Sequence, residues 1–214
     1  MDISLQHIVP IPLKDRFSNR HSEVWNQAIQ FNKSSYIKLQ APSGSGKTTF
    51  IHALYNLRHD YTGNILWDGV DLKTITANAL AEMRQQEVSI VFQDLRLFPQ
   101  LTARENIELV RAMQPLYDSS MIEEMAAQLG IEHILHQQTA ICSYGEQQRI
   151  AIARALMQPF SWLLMDEPFS HLDEANTAKA VALIDTECKK RNAGFVLTDL
   201  DEDNRFTYSH KFLL

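Results

Sequence analysis

Residues 36–49 read Tyr-Ile-Lys-Leu-Gln-Ala-Pro-Ser-Gly-Ser-Gly-Lys-Thr-Thr, and this stretch decides the fold. Residues 36–40 alternate apolar and polar side chains as a half-buried strand does. Ala41, Pro42, Ser43 and Gly44 then break the pattern as a loop. From Thr48 to Leu57 there is no Gly or Pro, and Phe50, Ile51, Leu54 and Leu57 recur at helical intervals, which predicts a helix over 48–57. In a strand, small-residue loop and helix in that order, backbone amides can close around phosphate oxygens at the positive end of the helix. Ser43, Gly44, Ser45, Gly46, Lys47, Thr48 and Thr49 are therefore candidate phosphate-binding residues. Lys47 would neutralise the β- and γ-phosphates of a nucleoside triphosphate, and the Thr48 hydroxyl would ligand Mg²⁺. The GxxxxGK[ST] pattern begins with Gly, whereas this chain has Ala41. A Gly-rich turn before a helix is the other reading of the loop alone; the flanking strand and helix favour phosphate.

A second stretch fits the first. Residues 162–168, Trp-Leu-Leu-Met-Asp-Glu-Pro, form an apolar strand that ends in two carboxylates. A buried strand that delivers Asp166 beside the loop would let it hold Mg²⁺ through water, with Glu167 orienting and polarising the attacking water. Around these motifs, Ile3, Leu5 and His7 alternate as a strand, and a turn at Thr62-Gly63-Asn64 leads into Ile65-Leu66-Trp67 and a hairpin turn at Asp68-Gly69. Residues 101–138 are helical in pattern. Thr102 with Glu105, and Ser120 with Glu123, have capping-box spacing, and Gly130 is placed to end the second helix. Helix 175–191, strand 195–198 and a strand-like end at 211–214 complete a βαβ alternation, which implies a largely parallel sheet covered by helices. The expected architecture is an α/β P-loop NTPase core with an N-terminal antiparallel β region and a helical subdomain insertion. The core is expected at residues 1–93 and 143–214, and the helical subdomain at 94–142.

Composition excludes several classes. With 20 Lys and Arg against 26 Asp and Glu, the net charge of −6 argues against a nucleic-acid surface. No apolar run reaches the ~18 residues of a membrane span, and the N-terminus lacks signal-peptide features, so a cytoplasmic protein is expected. With the sequence ending at Leu214, no C-terminal regulatory domain is expected. Cys142 and Cys188 lack zinc-site spacing and are expected as free thiols. His133 and His136, without a third ligand, are expected as surface residues. Met113, Met121 and Met125 are expected as core filler.

The motifs together resemble those of ATP-binding cassette (ABC) transporter ATPases across nearly the whole chain. Val91-Phe92-Gln93-Asp94 resembles the family's Q-loop, so the resemblance implies that Gln93 touches Mg²⁺, contributes to catalysis and links to a membrane partner. Residues 142–149, Cys-Ser-Tyr-Gly-Glu-Gln-Gln-Arg, resemble the signature LSGGEQQR, and Ser170-His171-Leu172-Asp173 resembles the D-loop. The Ser143–Glu146 spacing is itself a capping box, an anion-binding helix end that Gly145 leaves open to close approach. By resemblance, Ser143, Gly145 and Glu146 contact the nucleotide held by a second ATPase subunit. The resemblance thus implies ATP and Mg²⁺ as cofactors and a homo- or heterodimer. It also implies one or more transmembrane permease subunits, with the chain peripheral at the inner face of the cell membrane. The GEQQR run resembles small ATPases of lipoprotein-release, macrolide-export and cell-division complexes; Pro168-Phe169-Ser170 resembles importers. A soluble non-transport ABC ATPase and a nucleotide-binding regulatory subunit stay open as alternatives.

Besides Ala41, three positions depart from the family. Cys142 and Tyr144 replace Leu and the first Gly of the signature. In residues 195–200, Phe-Val-Leu-Thr-Asp-Leu, Asp199 stands where the switch His belongs. An ionised Asp cannot donate to a γ-phosphate as His does, so slow hydrolysis is expected. Among residues 9–13 no aromatic is available to stack on adenine, and Phe17 is the nearest candidate.

Overall fold

The structure, a computed structural model, describes residues 1–14, 22–202 and 204–214. Phe17 lies outside the described residues. Two sheets and six α-helices make up the described chain. The first sheet has the order β2-β1-β4-β5, formed by β1 (Ile3–Pro10), β2 (Ala28–Phe31), β4 (Tyr61–Trp67) and β5 (Val70–Asp71), all antiparallel. The second has the order β6-β7-β8-β3-β9, formed by β3 (Tyr36–Gln40), β6 (Val88–Val91), β7 (Trp162–Asp166), β8 (Gly194–Asp199) and β9 (His210–Leu213), all parallel. The helices are α1 (Lys47–Leu54), α2 (Ala77–Gln86), α3 (Ala103–Met113), α4 (Ser120–Leu129), α5 (Tyr144–Leu156) and α6 (Glu174–Arg191). Among the described residues no helix is long and apolar enough to cross a membrane.

A parallel sheet is covered on both faces, so its central strands are apolar throughout and sort by the period of two. In β7 and β8, Trp162, Leu164 and Val196 pack with Phe50, Ile51 and the first sheet. Their neighbours Leu163, Met165, Phe195 and Leu197 pack with Ile107, Ile122, Leu129 and Ile184 of the helices. The segment carrying α3 and α4 therefore shares one apolar core with the sheet.

Local rules account for most helix ends. Thr102 and Ser143 each form a complete capping box, with Glu105 and Glu146 respectively. Asp173 caps α6, its side chain accepting from the Asn176 amide, and Gly130 ends α4 at φ 66°. The Ser120–Glu123 box is not formed. Ser119 takes the cap position without a side-chain bond, and Glu123 accepts from Arg104 at 2.9 Å instead. The α1 helix stops at Leu54, three residues before the expected end, because Asn56 turns left-handed at φ 57°. Thr62-Gly63-Asn64 is not a turn but lies inside β4, where the pairing with β1 shifts register between Gln6 and Val9. Gly63 sits there at φ 75° with a would-be Cβ only 2.3 Å from the Gln6 carbonyl, so the bulge needs glycine. His7 takes φ 51° in the same bulge, which passes the inward position on to Ile8. Met113 is 59% exposed, unlike the buried Met125, so it is not core filler. It closes α3 next to Pro115, where the helix has already left the core.

Candidate functional site

The loop after β3 enters α1 through Gly46, whose φ of 101° only glycine adopts at low cost. A Cβ there would lie 2.8 Å from a Leu13 methyl and 3.3 Å from the Trp25 ring. Gly44 is also left-handed, at φ 76°. Ala41 is not among the positive-φ residues, which explains why alanine is tolerated where the motif has glycine. No side chain caps α1, so its first amides face the loop as an anion site. Ser45 instead stiffens the loop, its hydroxyl donating to the Pro42 carbonyl at 2.8 Å.

The sheet order brings the two acidic residues to this loop. Because β8 separates β3 from β7, Gln40 pairs with Asp199 while Asp166 pairs with Thr198. All the relevant strands end at the same carboxyl edge, where ligands of open α/β sheets bind. There Lys47, only 5% exposed, donates to the carbonyls of Ala41 (2.8 Å) and Pro42 (3.2 Å) and meets Glu167 at 3.2 Å. The Gln93 carboxamide bridges the remaining groups: its Oε1 accepts from the Thr48 hydroxyl at 3.1 Å, and its Nε2 donates to Glu167 at 3.3 Å. Leu13, Ser43, Gly44, Gly46, Lys47, Thr48, Thr49, Gln93 and Glu167 line one cleft of about 320 Å³.

Asp166 is 1% exposed. One of its oxygens accepts from the Thr198 hydroxyl at 2.7 Å, while the other, Oδ2, is buried without a partner. An unmatched buried carboxylate oxygen is costly; Asp166 itself is not among the residues lining the cleft but directly precedes Glu167, which is. Oxygen donors of this kind suit a hard cation such as Mg²⁺, with water completing its shell.

Ser143, Gly145 and Glu146 lie outside this cleft. The Glu146 carboxylate is engaged by the Ser143 amide and hydroxyl, both at 2.8 Å, which holds its pKa below the usual carboxylate range. A Cβ on Gly145 would come 2.9 Å from the His171 carbonyl, so glycine is needed for packing at that point. Asp199 also turns aside, accepting from the Leu200 amide at 2.7 Å and from Arg205 at 2.8 Å.

Several residues that build the cleft or hold its loops escaped the sequence reading. Gln148, 2% exposed, donates to the Glu167 carbonyl (3.2 Å) and Ser170 (3.4 Å) and accepts from the His171 amide (3.1 Å). It supports Glu167, whose φ of 48° is unfavourable for a residue with a Cβ. Arg154 donates to the carbonyls of Leu95 (2.6 Å) and Arg96 (2.7 Å), two further left-handed residues just after Gln93. Burial pushes its guanidinium down to about 10. Leu13 gives the cleft an apolar wall. Only the position of Gln148 and Arg154 in the helix after the signature pointed to them.

A phosphate cradle that carries its own lysine, set against a buried acid with one free oxygen and a second acid on the rim, suits a nucleoside triphosphate and its cation. In class the molecule is a P-loop ATPase. The sequence model of the ABC transporter family matches residues 25–170. The ABC transporter ATP-binding protein YvcR of Bacillus subtilis (strain 168) is 33% identical over 176 residues, which are 81% of this chain and 68% of that one. The lipoprotein-releasing system ATP-binding protein LolD of Legionella pneumophila (strain Paris) is 35% identical over 182 residues, 81% of this chain and 78% of that one. In fold, the ATP-binding cassette MJ0796, solved as a dimer bound to ADP and Pi, superposes with a TM-score of 0.79. It is 23% identical, with 93% of this chain and 88% of that one covered. The chain belongs to the ABC transporter family, as an ATP-binding subunit of the ABC ATPase type.

Proposed function

We propose that this chain binds MgATP on the Lys47 loop and hydrolyses it slowly, pairing with a second ATPase subunit to drive a separate transmembrane permease. The observation that supports this most is the meeting of Lys47, Thr48, Gln93 and Glu167 in one cleft.

Bound Mg²⁺ supplies charge neutralisation of the phosphate oxygens, and Thr48, Gln93 and Asp166 are the residues that would hold it. The chain's own groups must first rearrange. Lys47 exchanges its carbonyl and Glu167 partners for phosphate oxygens, which are better acceptors for an ammonium. That exchange frees Glu167, already at the rim, to accept a proton from a water aligned with the terminal phosphate. Ser43, Gly44, Ser45, Gly46 and Thr49 present the loop's amides to the other oxygens. Ser143, Gly145 and Glu146 form the α5 terminus that faces the nucleotide of the second ATPase subunit, in keeping with their place outside this chain's cleft.

Turnover is slow because Asp199 supplies no donor. Its carboxylate is committed to Arg205 and to the Leu200 amide, so position 199 neither repels the terminal phosphate strongly nor bonds to it. Residues 1–93 and 143–214 act as the nucleotide-binding core. Residues 94–142 act as the unit that touches the permease, with the subunit at the cytoplasmic face of the membrane. A relative in a lipoprotein-releasing system supports the permease reading.

The test is steady-state ATPase of the wild-type complex, Glu167→Gln and Asp199→His. The expected result is slow wild-type turnover, abolished by Glu167→Gln and raised by Asp199→His. Fast wild-type turnover that Asp199→His leaves unmoved would refute the slow-hydrolysis part.

A further inference from the structure

Tyr144 is the first residue of α5, where the signature pattern has glycine. Its ring is 44% exposed, so burial of apolar surface does not account for it. Its side chain instead reaches the backbone of Gln93, which lines the cleft, and the ring of His171, four residues after Glu167. The hydroxyl donates to the Gln93 backbone carbonyl at 3.1 Å, and the ring meets that of His171 edge-on, with centroids 4.2 Å apart and planes at 65°. The side chain of the same Gln93 spans Thr48 and Glu167. The chain turns left-handed at Leu95 and Arg96 immediately afterwards, held there by Arg154. Helix α5 thus anchors this segment twice, at Gln93 itself through Tyr144 and two residues on through Arg154.

We infer that Tyr144 is a positioning residue for Gln93, its phenol fixing the Gln93 backbone so that the carboxamide stays aligned with Thr48 and Glu167. Among the described residues the hydroxyl bonds to the Gln93 backbone and not to the phosphate loop, so it acts on the cation and catalytic geometry and not on nucleotide capture. The inference rests on the MgATP reading above.

The conservative variant Tyr144→Phe keeps the ring against His171 and removes only the hydrogen bond. Three quantities are measured on the full chain: ATP affinity without divalent cation, Mn²⁺ affinity of the ATP-loaded protein by electron paramagnetic resonance, and kcat. Tyr144→Phe should leave ATP affinity unchanged while weakening Mn²⁺ binding, and lowering kcat, by roughly 2–10-fold, the effect of one ordinary hydrogen bond. In a Gln93→Ala background the same substitution should be silent, since nothing remains to be positioned. Unchanged Mn²⁺ affinity in Tyr144→Phe, or an equal loss in both backgrounds, overturns the inference. A wild-type chain that binds no ATP even with Mg²⁺ present fails at a different step, and overturns the nucleotide reading and this inference together.

Discussion

Replacing Gln148 with Ala tests how Glu167, the proposed catalytic base, is held. Its carboxamide makes three hydrogen bonds, to the Glu167 carbonyl, the Ser170 hydroxyl and the His171 amide, from a site only 2% exposed. At a net ~1 kcal/mol for each bond, the loss is about 2–3 kcal/mol of stability. In a chain of this size each kcal/mol moves Tm by about 2–4 °C, so a fall of about 5–10 °C is expected. The functional effect is separate. Glu167 sits at φ 48°, and left-handed backbone at a residue with a Cβ costs roughly 1–2 kcal/mol. Without Gln148 that peptide relaxes and the carboxylate leaves its place over the cleft. Thermal unfolding followed by circular dichroism, together with steady-state ATPase, measures both effects. kcat should fall by about tenfold or more, the equivalent of ~1.4 kcal/mol, with KM for ATP nearly unchanged. A variant with the parent's Tm and kcat would refute the claim that Gln148 holds Glu167.

Gly46→Ala places a Cβ 2.8 Å from Leu13 at a φ of 101°. It should lose about 1–3 kcal/mol of stability and most nucleotide affinity, as read by chemical unfolding and a fluorescent ATP analogue. Burial pushes the Cys188 thiol up to about 12, and burial also raises the Cys142 thiol. Both should therefore resist a thiol reagent at pH 8 in the native state and react on unfolding. The Glu146 carboxyl is held below its ordinary value chiefly by the Ser143 hydroxyl. Its stabilising contribution is present above the unfolded-state pKa and is lost as pH falls through the lowered one. Melts from pH 7 down to pH 3 should show a smaller acid-induced drop for Ser143→Ala than for the parent.

The sequence carried much of the fold wherever a residue type has a single local use. Glycines with a lysine at a helix entry, Thr102 with Glu105, and an apolar strand ending at Asp166 and Glu167 all found their places. Spacing failed where a neighbour competed. Ser120 and Glu123 have the capping interval, but Arg104 takes the carboxylate. Gly63 reads as a turn, yet it serves a bulge whose cause lies on the partner strand at Gln6 and His7. The α2 helix went unseen because it buries only Met83 and so shows hardly any periodic apolar face. In the site, the polar residues that line the cleft were legible from their chemistry, whereas Leu13 was not. Nor were Gln148 and Arg154, because they act through the backbone of other residues; Tyr144 stood out as a departure from the signature, but its bond to the Gln93 backbone did not.

The most direct test of the account is equilibrium binding of ATP, with and without Mg²⁺, to the wild-type chain and to Lys47→Ala. The loop amides and the buried lysine predict saturable wild-type binding that Mg²⁺ strengthens, and a loss of about tenfold or more in the variant, the ~1.4 kcal/mol or more expected of a charge-assisted contact. Equal affinity in the two proteins, or no binding by the wild type with Mg²⁺ present, would contradict it.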